Sequence, residues 1–258
     1  MQSPGDVTVR SGVIRGSSST ILREVTKGVH GGHDVSSPGP WVEAWLSPPR
    51  FGIYLSAGGG DRSLALELYE WNAETSAALQ HDLAHLEVAL RNAYDTALAA
   101  AAGAGMSHWT QDALRVFPVS RQKAKDGTYV DRNKTPREQI AKAVQTVGRN
   151  APPGKVIAEL TFGFWRYLST KAHDQSLWVP YLHKAFAVGT SRPQVDRPVG
   201  RLHKLRNRVA HHEPLLQQDL AQRHADLLSL TALISSELDA YILAHSRVPA
   251  LLLERPGC

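Results

Sequence analysis

The sequence lacks several features that would assign it to a special class of protein. Its 258 residues include a single cysteine, Cys258, so the chain cannot form an internal disulfide scaffold. No apolar run approaches the roughly 18 residues that a membrane-spanning helix needs, and residues 1–30 lack the apolar core of a signal peptide. We therefore expect a protein of the reducing cytoplasm that does not cross a membrane.

The remaining composition is that of an ordinary globular protein. Hydrophobic residues make up 42% of the chain and charged residues 21%, with a formal net charge of +5. The basic excess is uneven, because six Arg or Lys residues and one acidic residue lie between Arg192 and His212. This local density suits a polyanionic partner, although a solvated helix face would carry the same charges.

Residues 1–40 differ in composition from the rest of the chain. Seventeen of these forty residues are Gly, Ser or Pro, and no apolar periodicity is present. This composition predicts a disordered N-terminal tail, or an extension upstream of the true start. Residues 41–258 are predicted to form the globular domain.

Apolar residues recur at helical spacing from Asp61 onward. Asp61 is predicted to cap a long helix whose core positions are Leu64, Leu68, Trp71, Leu79, Leu83, Leu86, Leu90 and Leu98. Asn72 is interpreted as a break or kink in this helix, which we expect to end at Gly103 and Gly105. Few convincing strands and no internal repeat are found, so the predicted fold class is all-α, with helices packed side by side.

Prolines predict where several later helices begin. Pro136 is expected to open one helix, and residues 121–137 are otherwise interpreted as a loop. Pro198 is predicted to begin the helix of most interest. Pro214 is predicted to begin the last long helix, with the core positions Leu216, Leu220, Leu227, Ile234, Leu238 and Tyr241.

No combination of residues predicts a metal or cofactor site. Residues 148–156 resemble a phosphate-binding loop, but the spacing is one residue too long and Val156 stands where Ser or Thr would reach magnesium. His211 and His212 are neighbours on a helix and point about 100° apart, which is unsuitable for a shared zinc ion. We also find no Ser or Cys nucleophile with an identifiable base.

Residues 201–214 carry the side chains most suggestive of chemistry. Read as a helix, this segment places Leu202, Leu205 and Val209 on one stripe that faces the core. Two adjacent stripes form a polar front, made of His203, Asn207 and His211 and of Lys204, Arg208 and His212. Arg206 borders the core stripe, but its long side chain can reach across to this front.

The end of this helix offers groups suited to metal-free RNA cleavage. Pro214 pushes Glu213 out of the helical region, so we expect His211 and His212 in the last turn. Cleavage needs a base for the ribose 2′-OH, an acid for the leaving 5′-oxygen, and fixed positive charge at the phosphorus. His211 could serve as base or acid, and Arg206 could hold the phosphate.

A complete site needs more than one such helix. Asn207 precedes His211 by four residues and could orient the imidazole or the phosphate through a hydrogen bond. A single helix offers one principal histidine, whereas two-fold pairing of two helices supplies two His and two Arg residues. A homodimer is therefore the economical way to complete the site.

Three blocks of the sequence resemble one known family. Residues 206–211 fit the R-polar-x3-H form of the HEPN motif, and residues 205–214 are similar to the signature of Abi-like (abortive-infection) proteins of that superfamily. Residues 159–165 resemble the aromatic block of the family, and residues 86–92 resemble its first long helix. The blocks occur in the family's order and together cover most of residues 41–255.

The resemblance implies a HEPN-like helical bundle whose motif helices meet at a homodimer interface. It implies metal-independent endoribonuclease activity on RNA that leaves 2′,3′-cyclic phosphate ends, in phage defence or as a toxin, with an antitoxin or sensor as a further partner. The catalytic roles carry over to Arg206, Asn207 and His211.

Supporting roles are considered for a second group of residues, namely His212, Arg208, His203, Glu87 and Arg91. Arg91 and Asn92 begin like a second motif, but Thr96 stands where its histidine would be. Glu87 and Arg91 form an i,i+4 pair in the favourable order, which is normally a structural contact.

Two alternatives to a nuclease remain open. The first is a non-catalytic HEPN module that binds RNA or a partner protein, and salt-sensitive binding without a cyclic-phosphate product would identify it. The second is a helix-turn-helix DNA reader that uses residues 198–213. The second is weaker, because Pro214 follows the two histidines immediately and no short glycine turn precedes the helix.

Overall fold

The structure is a computed structural model that describes residues 38–101, 105–124 and 126–257. The predicted disorder of residues 1–40 falls almost entirely outside these residues. The chain divides into two compact units, Met1–Ser47 and Pro48–Cys258. In the described part of the first unit, helix α1 (Trp41–Leu46) stacks the exposed rings of Trp41 and Trp45 with centroids 6.1 Å apart.

The second unit begins with a helical hairpin. Helix α2 (Pro48–Ala57) leads through a glycine turn into helix α3 (Arg62–Ala100), which is 39 residues long. Asp61 caps α3 as predicted, because its Oδ1 accepts hydrogen bonds from the backbone N–H groups of Ser63 (2.8 Å) and Leu64 (3.1 Å). The predicted core positions of α3 are buried, apart from the half-buried Leu64.

Most of the remaining regular structure is helical. The α-helices are α4 (Ala113–Val116), α5 (Lys134–Val147), α6 (Pro153–Glu159), α7 (Phe162–Leu168), α8 (Arg192–Ala210), α9 (Leu220–Ile234), α10 (Ser236–His245) and α11 (Val248–Leu253). Short 3-10 and π segments cover Lys171–His173, Asp174–Trp178 and Leu182–Ala185. Strands β1 (Arg121–Lys123) and β2 (Tyr129–Asp131) pair antiparallel, with Gln122 opposite Val130. The all-α fold class is therefore confirmed.

Helix α3 is the central element of the second unit. It packs against α2, α7, α8, α9 and α11, and α8 also packs against α7 and α9. The centre of this unit is aromatic and aliphatic, with Trp109 and Trp165 among its fully buried side chains. Within the described residues, no helix is both long and apolar enough to cross a membrane.

Two predicted features in the middle of the chain are wrong. Asn72 does not break α3, which continues through this residue to Ala100, and its side chain makes a tertiary contact. Its Oδ1 accepts a hydrogen bond from the buried backbone N–H of Leu215 at 2.7 Å. Part of the predicted loop over residues 121–137 is a hairpin, in which Asp131 accepts hydrogen bonds from the backbone of Ser120 and Asn133.

Two predicted helix starts are also wrong. Helix α8 begins at Arg192, where Gln194 Oε1 accepts a hydrogen bond from the Ser191 N–H at 2.8 Å, and Pro198 lies inside the helix. Pro214 does not begin a helix, because α9 starts only at Leu220 behind its cap Asp219.

The predicted last long helix is two helices in the structure. Ser235 has an extended backbone and caps α10, so the helical phase restarts there. For this reason Tyr241 is 51% exposed, whereas Leu220 and Leu227 are buried as predicted.

Candidate functional site

Helix α8 has the two-sided character that its sequence predicts. Val195, Val199, Leu202, Leu205 and Val209 are all buried and hold one side of the helix against the core. The remaining surface of the helix is mostly polar. At 100° per residue, its side chains follow one another around the helix, starting at the edge of the core, in the order Arg206, His203, Asn207, His211, Lys204 and Arg208. From His203 to His212 this polar front has no carboxylate, and Asp196, about two turns earlier on the same side of α8, is paired with Arg192.

The helix ends in a Schellman turn that sets the positions of the two adjacent histidines. The Glu213 N–H donates to the Arg208 carbonyl at 2.9 Å, and the His212 N–H donates to the Val209 carbonyl at 3.0 Å. This pattern requires a left-handed residue at His212, whose φ is 53°. His211 is therefore the last residue with near-helical geometry, and the prediction that His212 lies in the last turn is wrong.

Two arginines brace this turn. The Arg50 guanidinium of α2 donates a hydrogen bond to the His212 carbonyl. Arg208 donates to the Pro214 carbonyl at 3.0 Å and pairs with the Glu213 carboxylate at 3.2 Å. Of the supporting residues that the sequence suggests, Arg208 and His212 thus have clear structural roles at the helix end.

Arg206 turns toward α3. Its Nε lies 3.7 Å from Glu87 Oε2, and this Nε is buried without a hydrogen-bond partner. No hydrogen bond within residues 38–101, 105–124 and 126–257 engages the two Nη groups of Arg206. Its side chain is 34% exposed. Glu87 therefore fixes the Nε side of the Arg206 guanidinium, and the Nη groups can still donate hydrogen bonds to an external anion.

Glu87 is a half-buried carboxylate shared by two helices. Burial raises the pKa of Glu87, while Arg206, Arg91 and the backbone N–H of Phe162 oppose that rise. Arg91, one turn farther along α3, contributes positive charge to the same cluster. The structure thus adds Arg206 to Glu87 and Arg91, which the sequence predicts as an i,i+4 pair.

His203 lies between the Arg206 cluster and helix α7. The Asn207 amide Nδ2 is 3.4 Å from His203 Nε2, and the Phe162 ring meets the imidazole edge-on at 5.9 Å. If the amide donates to Nε2, the ring proton is on Nδ1. Burial lowers the pKa of His203, and the charges of Arg166 and Arg206 lower that pKa further. The imidazole is therefore neutral at neutral pH.

His211 is exposed at the end of the polar front. Within the described part of the chain, its side chain makes no hydrogen bond or ion pair, while its backbone N–H donates to the Asn207 carbonyl at 3.0 Å. Arg206 and His211 are five positions apart, so their side chains point about 140° apart around a helix. Within one copy of the chain, Arg206 therefore faces Glu87 and His211 faces solvent.

A groove of about 500 Å³ runs beside the polar front. Its basic lining residues are Arg201, Lys204, Arg208 and Arg223. Asp226 neutralises two of them, because its carboxylate lies 2.6 Å from Arg201 and 2.8 Å from Arg223. Lys204 makes no ion pair within the part of the chain that the structure describes, so its ammonium group is available to bind an anion in this groove.

Arg166 is the site residue that the sequence analysis missed. It follows the aromatic block in α7, a helix of seven residues that is too short for periodicity to indicate which face is functional. Its guanidinium passes over Gly200 of α8, where a Cβ would lie 3.7 Å from Nη2. The glycine at position 200 is the only sequence signal of this close approach.

The sequence also does not indicate the hydrogen-bonded cluster around Ser246, whose role is structural. Ser246 Oγ donates to Asp82 and lies 3.0 Å from His224 Nε2, while the Val248 N–H donates to the same hydroxyl. These bonds join α3 and α9 to the start of α11. Among the described residues, no group of three His, Cys, Asp or Glu side chains could hold a metal ion.

Comparisons with known protein families, with curated proteins and with solved structures find no match to this chain.

Proposed function

We propose that this protein is a metal-independent endoribonuclease of the HEPN type that acts in phage defence or as a toxin. The observation that carries the proposal is the polar front of α8. It presents an exposed His211 and an accessible Lys204. At its edge the Arg206 guanidinium contacts Glu87 through Nε, while its Nη groups make no hydrogen bond within the described residues. Glu213 and Glu87, the carboxylates near Arg208 and Arg206, are each paired with an arginine, and His211 and Lys204 have no carboxylate partner among the described residues.

The reaction needs no co-reactant, because the ribose supplies the nucleophile. The 2′-oxygen attacks the adjacent phosphorus and its proton passes to a base, while the bond from phosphorus to the 5′-oxygen breaks and an acid protonates the leaving oxygen. The products are a 2′,3′-cyclic phosphate and a 5′-hydroxyl. In this proposal His211 exchanges a proton, Arg206 stabilises the charge on the phosphoryl oxygens, and Asn207 orients the neighbouring groups.

The orientation of Arg206 and His211 within one copy supports the homodimer part of the proposal. Because the two side chains diverge around α8, a site that uses both needs His211 from a second copy to approach Arg206. His211 is exposed at the helix end, where a second copy can reach it. An isologous contact would build two such sites at once.

The test is RNA cleavage in the presence of a chelator, with the chemistry of the new ends as the readout. The parent protein should produce 2′,3′-cyclic phosphate ends, and His211→Ala should lower the rate at least about 100-fold without unfolding the protein. His245→Ala, at an exposed histidine near the end of α10, is the matched control. Full cleavage by the His211→Ala variant would exclude the proposed role of His211.

The second candidate is a non-catalytic module that binds RNA or a partner protein. The contact of Arg206 with Glu87 favours it, because this pairing can stabilise the fold without any substrate. Such a module would bind RNA in a salt-sensitive way, and no cyclic-phosphate end would form under any condition.

A further inference from the structure

Three basic side chains from two helices form a cluster that includes Arg206, one of the catalytic residues proposed above. Arg166 comes from α7, and His203 and Arg206 come from α8. The Arg166 guanidinium lies over Gly200, and Gly200, His203 and Arg206 follow at three-residue intervals along α8, so the three side chains lie on neighbouring turns of that helix. Both guanidinium charges act on the His203 imidazole. Asn207 Nδ2, 3.4 Å from His203 Nε2, adds an amide to the same place.

The charges of this cluster are incompletely balanced. Glu87 is the carboxylate near Arg206, and the charge of Arg91 acts on the same carboxylate. Within residues 38–101, 105–124 and 126–257, Arg166 makes no side-chain hydrogen bond or ion pair with any residue. Glu87 is thus shared by Arg206 and Arg91, while Arg166 has no carboxylate partner among these residues, so a bound anion would supply the missing negative charge.

The two helices are shaped to allow this approach. Gly200 leaves room for the Arg166 guanidinium, with a Cβ position 3.7 Å from Nη2 and 3.8 Å from Nε. Gly163 leaves room for His203, because a Cβ there would lie only 3.3 Å from Nε2. A Cβ at position 200 would be in ordinary contact with the Arg166 guanidinium, whereas a Cβ at position 163 would press on the His203 ring.

We propose that Arg166 and Arg206 together bind one phosphodiester of single-stranded RNA, with the His203 imidazole and the Asn207 amide beside it. The proposal rests on the RNA-directed function above and adds Arg166 as a binding residue from a different helix. Two planar guanidinium groups can each offer a pair of N–H donors to phosphate oxygens. The neutral His203 adds no positive charge to this pair of guanidinium groups.

The test is binding of a mixed-sequence 2′-O-methyl RNA of about 20 nucleotides, followed by fluorescence anisotropy over a range of salt concentrations. The blocked 2′-oxygen prevents cleavage, so affinity is measured separately from catalysis. Arg166→Gln should weaken binding about tenfold and reduce the slope of log K against log salt by about 0.7. Arg149→Gln, which removes the same charge from an exposed turn, should leave both quantities unchanged.

A conservative variant separates binding from folding. Arg166→Lys keeps the charge and loses the planar pair of donors, so it should restore the salt slope but only part of the affinity. Parental affinity and slope in a folded Arg166→Gln protein would overturn the proposal. The same holds if Arg149→Gln weakens binding as much as Arg166→Gln.

The failure of this proposal is distinguishable from the failure of the proposed function. The His211→Ala protein should bind the 2′-O-methyl RNA normally while it fails to cleave ordinary RNA. If Arg166→Gln binds normally and His211→Ala is inactive, the phosphate site is wrong and the nuclease stands. If Arg166→Gln loses binding and no variant or parent ever cleaves, the site stands and the binding module replaces the nuclease.

Discussion

At the scale of single residues, the candidate site depends on which way each side chain of α8 turns. Arg206 is drawn inward by Glu87, His203 packs against Phe162, and His211 remains in solvent. The sequence order of the motif does not reveal this divergence, because residues that are close in the chain point in different directions around a helix. The carboxylate of Glu87 therefore decides where the guanidinium of Arg206 is held.

Gly163 provides a sharp test of the His203 position. In Gly163→Ala the new Cβ would lie 3.3 Å from His203 Nε2, so the imidazole must shift by a few tenths of an ångström. We expect a loss of about tenfold in RNA cleavage, because misplaced site residues reduce rates strongly even when the fold is intact. Cleavage rate and thermal unfolding are measured on the same preparation.

Gly154→Ala is the matched control for this variant. Gly154 is also the second residue of its helix, α6, and no atom lies within 4 Å of its Cβ position. Its cleavage rate should equal that of the parent. Equal rates for Gly163→Ala and the parent would show that the His203 position does not matter for the reaction.

At the scale of elements, the sequence predicts interior packing better than helix boundaries. The stripe of Leu202, Leu205 and Val209 is confirmed, because burial follows directly from hydrophobic periodicity. The start of α8 is predicted wrongly at Pro198, because the capping pair Ser191 and Gln194, with Pro193 in the first turn, begins the helix at Arg192. Ser235 does not by itself predict the break between α9 and α10, because serine is as common in turns as on helix surfaces.

Contacts between distant elements are the part that the sequence could not supply. Glu87 and Arg206 are 119 positions apart, and Asn72 and Leu215 are 143 apart. Neither pair shows a periodic or local pattern, and their meeting depends on how α3 packs against α8 and the segment that follows it. The components of the site were therefore predictable, but their neighbours were not.

The contact from Asn72 to Leu215 yields a prediction for the stability of this packing. Asn72→Ala leaves the buried Leu215 N–H without an acceptor, which should lower the free energy of unfolding by about 2 kcal/mol. Asn92→Ala, at an exposed position of the same helix, should change it by less than about 0.5 kcal/mol. Urea unfolding measures both, and equal effects of the two substitutions would contradict a structural role for Asn72.

At the scale of the whole molecule, stability should depend on the buried histidines. His173 is 1% exposed, its ring contacts Phe117 and Tyr167, and its Nε2 has no hydrogen-bond partner among the described residues. Burial lowers the pKa of His173 to about 4, and the charge of Arg132 lowers it as well. Burial also lowers the pKa of His203 and of His224.

The direction of the pH effect follows from these lowered values. Above the ordinary histidine pKa of about 6.5, His173 is neutral in both the folded and the unfolded chain and adds no pH dependence. As the pH falls from 6.5 toward 4, His173 takes up a proton in the unfolded chain but stays neutral in the folded protein. The free energy of unfolding therefore decreases. Between about pH 7.5 and about pH 5, His173 alone should remove roughly 1–2 kcal/mol of unfolding free energy. Urea unfolding at both pH values should show a smaller difference for His173→Phe than for the parent, and an undiminished difference would mean that protonation of another group governs the loss.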